Sequence, residues 1–247
     1  MNAPDRSKPR WGDRHWDRKA IALLGTIVSM RGGHIKQGRW LDIGCGSGDI
    51  AATLAQDVGD ITGIDPEPWP DWDAKTERHK NLNFLADRFD RSSCPVTLST
   101  FDVVICNQVY EHVQDPAQLI RNIHGALKPG CICYFAGPNL LWPIEPHVFW
   151  PFVHWLPRPL ASRIMTLLGS RAVADLDAFS LDYWRLTKLF RLAELQSTNA
   201  IKKRLLCSPS GGPLIQLARW VPEPLFKALT PLTPGFVFLL EKPVSHD

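Results

Sequence analysis

The stretch LDIGCGSGDI places Asp42, Gly44, Gly46 and Gly48 at alternate positions between an apolar run and a helix-forming run. Glycines at that spacing let the backbone turn through positive φ and let a ligand approach with no Cβ in the way. The first turn of the following helix offers unpaired N–H groups to a negative or strongly polar partner. Two further carboxylates stand at the ends of apolar runs, Asp65 closing DITGID and Asp87 following NLNFLA. Side chains of this kind accept hydrogen bonds from hydroxyls or amines, and they also serve as plain turn caps. A second set has the types needed for acid–base work: Glu111-His112, and Glu145 and His147 inside PNLLWPIEPHVFWPFVHWLPRP. His147 is the favoured general base, with a helix-capping or core histidine as the alternative, and His112 reads as architectural or orienting.

These residues need a scaffold, and the chain supplies alternating elements. Residues 14–31 put Ala20, Leu23, Leu24, Ile27 and Val28 on one helical face, stopped by Gly32-Gly33. Strands are expected at 39–44, 60–65, 81–86, 101–107 and 131–136, with a helix over 47–56 and short helices or loops over 66–80 and 87–100. Asp115-Pro116 caps a helix running to Leu127, which KPG ends. Further helices are expected over 158–168, over 181–195 behind a Ser180 cap, and, interrupted by proline, over 212–230; strands are expected over 200–207 and 235–242. Strand–helix alternation of this kind builds a parallel sheet, so the expected fold is α/β. The chain divides into a ligand-binding core with an N-terminal helix (1–137), an aromatic, proline-rich lid with a helical insertion (138–199) and a C-terminal strand pair (200–247), forming one domain overall.

Several ligands compete for the glycine turn. A dinucleotide fingerprint wants Gly or Ala at position 49, and Asp49 there would repel a pyrophosphate. A P-loop needs G-K-[ST], which is missing. The D-x-G-x-G-x-G form resembles instead the first motif of class I S-adenosylmethionine-dependent methyltransferases. The resemblance continues in order through Asp65, Asp87, the FDVVICNQVYEHVQDP stretch of the type-11 branch and LKPGC, covering roughly residues 38–137. It implies a Rossmann-like, doubly wound seven-stranded sheet with mostly parallel strands and an antiparallel last strand. It implies S-adenosyl-L-methionine as cofactor: Asp42 and Gly44, Cys45, Gly46 and Gly48 at its methionine end, Asp65 and Pro66 at its ribose, Asp87 at its adenine amine, and Asn107 facing the reacting centre. Quinone O-methylating members carry a glutamate three residues before the Glu-His pair to help hold a divalent ion. Gln108 stands in that place, so no metal is expected.

Composition narrows the acceptor. The net charge of +3 splits into −1 over residues 1–137 and +4 over 138–247, which points weakly to anionic substrates or an anionic membrane surface and equally to a solvated basic face. Six cysteines show no zinc spacing, and the polar, charged N-terminus has no secretory pattern, so a reduced cytoplasmic setting is expected, with peripheral contact at the inner membrane face as an extension. Prolines at 143, 146, 151 and 157 with Glu145 exclude a spanning helix over the aromatic stretch. That stretch reads either as a lid over the strand ends or as a second small core. NQVY after strand four lacks the N-P-P-Y form of exocyclic-amine methylators, and Cys94-Pro95 is the wrong order and place for a pyrimidine C5 nucleophile. The resulting expectation is O-methylation of a hydrophobic or lipid-linked small molecule, such as a glycolipid, a cell-envelope sugar or a quinone-like acceptor. The alternatives are a protein or RNA methyltransferase, for which Lys202-Lys203-Arg204 gives slight support, and a non-catalytic cofactor-fold binding module; nucleic acid is not an expected partner.

Overall fold

The computed structural model describes residues 16–89, 99–144, 150–169, 180–209, 212 and 219–244. Five apolar runs form parallel strands: β1 (Trp40–Ile43), β2 (Ile61–Asp65), β3 (Leu82–Ala86), β4 (Phe101–Asn107) and β5 (Leu127–Pro138). β6 (Gln196–Asn199) and β7 (Gly235–Glu241) complete a seven-stranded sheet of order β3-β2-β1-β4-β5-β7-β6, with β7 antiparallel to both neighbours. The chain winds outward from β1 in one direction and from β4 in the other, so the sheet reverses between these two strands. Ligands of open α/β sheets bind outside the carboxyl ends of the strands at such a reversal.

Helices cover both faces, as a parallel sheet requires. They are α1 (Trp16–Arg31), α2 (Asp49–Leu54), α3 (Trp72–Arg78), α4 (Pro116–Ala126), α5 (Arg158–Leu167), α6 (Tyr183–Leu192), α7 (Ile201–Leu206) and α8 (Glu223–Leu229). Strand residues alternate between the two cores. Leu41, Val104 and Phe135 pack with Ile120 and Ile123 of α4 and Leu186 and Phe190 of α6. Trp40, Ile105 and Tyr134 pack with Leu23 and Ile27 of α1 and Leu54 of α2. Asp115 caps α4 as expected, accepting the Gln118 N–H at 2.9 Å with Pro116 in the first turn.

Four elements differ from the sequence expectation. Residues 200–207 hold the helix α7 rather than a strand, because Asn199 accepts the Ile201 N–H at 2.9 Å and turns the chain. The penultimate strand is therefore Gln196–Asn199, a polar run at the sheet edge that carries no apolar alternation to read. The α6 cap is Asp182, which accepts the Arg185 N–H at 2.9 Å, and not Ser180. KPG lies inside β5, where Gly130 takes φ +76 and the pairing with β4 shifts register, instead of separating helix from strand. Of the segment 212–230, the described part includes α8, opened by Pro222 at its N-cap. The aromatic stretch contributes Val153 to a third, separate cluster with Ala161, Met165, Trp150 and Leu156, while Phe152 and Trp155 stay about half exposed.

Phe190 is fully buried and meets Phe135 at 5.1 Å and Phe238 at 5.5 Å, both edge-on. Phe190→Ala removes these contacts from a close-packed interior and is expected to cost about 3–5 kcal/mol. Scanning calorimetry should then show a Tm lower by roughly 10 °C, given about 2–4 °C per kcal/mol for a chain of this size.

Candidate functional site

The loop between β1 and α2 is built from left-handed residues. Gly44, Gly46 and Gly48 have φ of +64, +52 and +77. Two of them are also closed to a side chain: a Cβ on Gly44 would stand 2.7 Å from Val109, and one on Gly48 would stand 2.3 Å from the Phe84 ring. A Cβ on Gly46 would meet nothing within 4 Å, so that position faces an open crevice. The Gly44 and Cys45 N–H groups donate to Ile64 O at 2.8 and 3.2 Å, fastening the loop to the end of β2.

Side chains remote in sequence brace this loop. The Trp72 indole donates to Gly46 O at 3.0 Å and stacks on Phe84 with centroids 4.8 Å apart. Lys75 donates to Ser47 O at 2.6 Å and pairs with Asp49 at 2.8 Å. Burial alone would raise the Asp49 carboxyl, but hydrogen bonds from Lys75 and Ser47 hold it below the usual range. Asp49 is thus turned onto Lys75. No local motif announces Lys75 or Trp72, because both belong to α3, more than twenty positions downstream.

Three carboxylates stand at or just past the carboxyl ends of β1, β2 and β3. Asp65 accepts the Gly46 N–H at 2.9 Å and the Glu67 N–H at 3.0 Å. Burial raises its pKa; those two N–H groups partly offset the rise, and the Glu67 charge adds to it. Asp87 directly follows β3, its own N–H donating to Asp65 O at 3.0 Å and its carboxylate accepting the Arg88 N–H at 2.7 Å. Asp42 is buried, and its Oδ2 has no hydrogen-bond partner among the described residues. Burial first, and the Asp65 charge second, push its pKa up to about 7. Pro66 is exposed beside this group, and burial drives the Cys45 thiol far up, so Cys45 contributes backbone and bulk rather than a thiolate.

Across the reversal, Asn107 ends β4 half-buried, opposite Ala136 of β5. Gln108 follows at φ +59, a strained conformation for a side-chain-bearing residue, held by its N–H to Ala136 O at 2.8 Å. In the turn Tyr110–His112, Glu111 is fully buried while His112 is exposed. The Tyr110 hydroxyl bonds Pro138 O and receives the Leu181 N–H at 3.3 Å, tying β4 to the segment that leaves β5. Glu145 and His147 lie outside the described residues. Asp42, Gly44–Gly48, Asp65 and Asp87 therefore gather at the carboxyl ends of β1, β2 and β3, Asn107 and His112 lie at and just past the end of β4, and His154, in a turn beyond β5, was in none of the expected sets.

A methyltransferase-domain family model matches residues 14–188, more than two thirds of the chain. The chain belongs to this methyltransferase family. Ubiquinone biosynthesis O-methyltransferases resemble it more narrowly: that of Serratia proteamaculans is 28% identical over 137 residues, and that of Acinetobacter baumannii strain AYE is 26% identical over 138. These matches take in 53% of this chain and only 56% and 58% of the two relatives, so the chain spans little more than half their length. Among solved structures, Burkholderia thailandensis 1,6-didemethyltoxoflavin-N1-methyltransferase, with S-adenosylhomocysteine bound, aligns at TM-score 0.55 and 14% identity over 94% of this chain and 80% of its own. The cyclase SpnF aligns equally well, at TM-score 0.55 and 20% identity over 91% of this chain and 82% of its own. The sheet is therefore the class I S-adenosylmethionine-dependent methyltransferase fold.

The residues at this turn fit that family's cofactor. The Cβ-free turn leaves room at Gly46, and the unpartnered, buried Asp42 oxygen matches a cationic methionine end. The raised Asp42 pKa has a stability consequence. A folded pKa near 7 against about 3.9 unfolded means that the folded chain holds the proton more tightly, so stability is full below pH 4, falls as pH rises to about 7, then levels off. Asp42→Asn removes the ionisable group and should raise the Tm of the ligand-free protein by several degrees at pH 8 while leaving it nearly unchanged at pH 4. Calorimetric scans at the two pH values check this.

Proposed function

We propose that the chain transfers the methyl group of S-adenosylmethionine to an oxygen of a hydrophobic or lipid-linked small molecule. The observation that carries the cofactor half is the Asp65 carboxylate, 2.9 Å from the Gly46 N–H at the reversal of the sheet, beside the open turn. When bound, the cofactor supplies an electrophilic sulfonium methyl, so the protein has mainly to orient and desolvate a nucleophile. In this reading Asp42 and the Gly44–Gly48 turn, with Cys45, hold the methionine end. Asp65 and Pro66 meet the ribose, Asp87 meets the adenine amine, and Asn107 faces the transferred group. Glu145, His147 and His112 remain candidates for orienting the acceptor. Residues 1–137, 138–199 and 200–247 act as one domain.

The acceptor half rests on the wall beyond β5. Phe152, Trp155 and Leu160 are about half exposed, and Leu167 and Leu168 at the end of α5 are 85% and 68% exposed. Apolar exposure on this scale beside the exposed Arg163 suits a quinone-like or lipid-linked acceptor and peripheral contact with an anionic bilayer. Among the described residues no helix is long and apolar enough to cross a membrane. The names of the curated relatives favour oxygen as the methylated atom. The RNA or protein alternative draws on Lys202-Lys203-Arg204, but Lys202 donates to Val221 O at 2.6 Å and Arg204 to the Tyr134 hydroxyl at 3.2 Å, which leaves little basic surface there for phosphate.

Two measurements test this reading. Asp65→Asn should weaken S-adenosylmethionine binding by about 10- to 100-fold in titration calorimetry, the loss of one to two charge-assisted hydrogen bonds; unchanged affinity would remove the ribose assignment. Flotation with anionic vesicles should recover the protein at low salt and lose it in Leu167→Glu, with cofactor affinity unaltered. A wild-type chain that stays at the bottom of the gradient removes the membrane contact.

A further inference from the structure

Trp72 and Lys75 stand three positions apart on α3, so both side chains leave the same face of that helix. They reach two successive carbonyls of the glycine turn. The Trp72 indole donates to Gly46 O at 3.0 Å, and its ring, 7% exposed, is fixed by the stack on Phe84. Lys75 donates to the next carbonyl, Ser47 O, at 2.6 Å. An ammonium has three protons to give, and Lys75 Nζ has three acceptors: Ser47 O, Asp49 at 2.8 Å and Asp71 at 3.4 Å. Its side chain is 13% exposed, so these contacts stand in for the water it has lost. In a planar trans peptide the C=O and the following N–H point in opposite directions. The bond to Ser47 O thus also aims the Gly48 N–H, which donates to Cys45 O at 2.9 Å. The bond to Gly46 O likewise turns the Ser47 N–H away from α3, and that N–H has no acceptor among the described residues.

We infer that Lys75, with Trp72 beside it, is a positioning residue for the cofactor, presetting through Ser47 O and Asp49 the turn that receives the methionine end. This role rests on the placement of that end at Gly44–Gly48 under the proposed function. Three glycines at positive φ leave the turn many other shapes, so its own residues do not select this one. The clamp selects it before any ligand arrives, and a site ordered in advance gives up less entropy on binding. Lys75 acts through the turn and not on the reacting atoms. Asp65 and Asp87, assigned to the ribose and the adenine amine, have no hydrogen bond to α3 among the described residues. Loss of the clamp should therefore fall on ligands that carry the amino-acid end and spare those that lack it.

Two ligands of the full chain separate these ends. S-adenosylhomocysteine carries the amino-acid end, whereas 5′-methylthioadenosine keeps the adenosine and a thioether but has neither amine nor carboxylate. Affinities are read by titration calorimetry and, for the weaker ligand, by chemical-shift titration. In Lys75→Met the affinity for S-adenosylhomocysteine should fall about 10- to 100-fold, while that for methylthioadenosine changes by less than about 3-fold. Trp72→Phe keeps an aromatic ring against Phe84 and removes one neutral hydrogen bond, so it should lose about 3- to 10-fold for S-adenosylhomocysteine alone. Trp72→Phe decides the matter if Lys75→Met does not fold. Equal losses for the two ligands, or an unchanged affinity for S-adenosylhomocysteine, would overturn the positioning role. A wild-type chain that binds both ligands equally well removes instead the placement of the methionine end, and one that binds neither removes the cofactor from the proposed function.

Discussion

The structure turns on a backbone that must reverse in the left-handed region three times within five residues. Only glycine does this at no steric cost, and at Gly44 and Gly48 a side chain would also collide with Val109 or Phe84. The reversal sets where α2 starts, brings the end of β2 against the loop and opens the crevice at Gly46. It is held from outside, by Asp65 on one flank and by Trp72 and Lys75 on the other. The loop is consequently a fixed cradle whose shape is set by a salt-bridged lysine, and the negative Asp49 is taken out of play by the same lysine.

How much of this was legible depended on whether the cause was local. The glycine turn, the Asp115-Pro116 cap and the apolar run of β4 are short-range signals, and each lies where the sequence puts it. The edge strand β6 was invisible because a strand with one flank and one face in water needs no apolar alternation, and QSTN has none. α7 was mistaken for a strand because Ile201, Leu205 and Leu206 flank the basic residues in a run too short for a clear period, while the deciding cap, Asn199, lies just outside it. For the site, the carboxylates at strand ends were readable from motif order. Lys75 and Trp72 were not, since their partners are carbonyls of a loop far away in sequence, and a carbonyl carries no side-chain signature.

The same reason bears on the histidines. Sequence directs attention to histidines beside glutamates, hence Glu111-His112 and Glu145-x-His147. The described structure shows His112 exposed, and a histidine farther on whose ring is set by main-chain oxygens. The aromatic stretch likewise divides its work: Val153 belongs to a small core of its own with Ala161 and Met165, while Phe152 and Trp155 remain outward.

Asn139 adds a consequence at the far end of the molecule. Its buried amide donates to Pro231 O at 2.9 Å and Thr233 O at 2.7 Å, and its carbonyl takes the Leu141 N–H at 3.0 Å. The wall that begins at Leu140 is thereby yoked to the hinge leading into the final strand, nearly a hundred positions later. A substitution in 230–234 would therefore shift the segment that begins at Leu140 without altering any of its own residues, so the positions that shape this segment extend into the approach to β7.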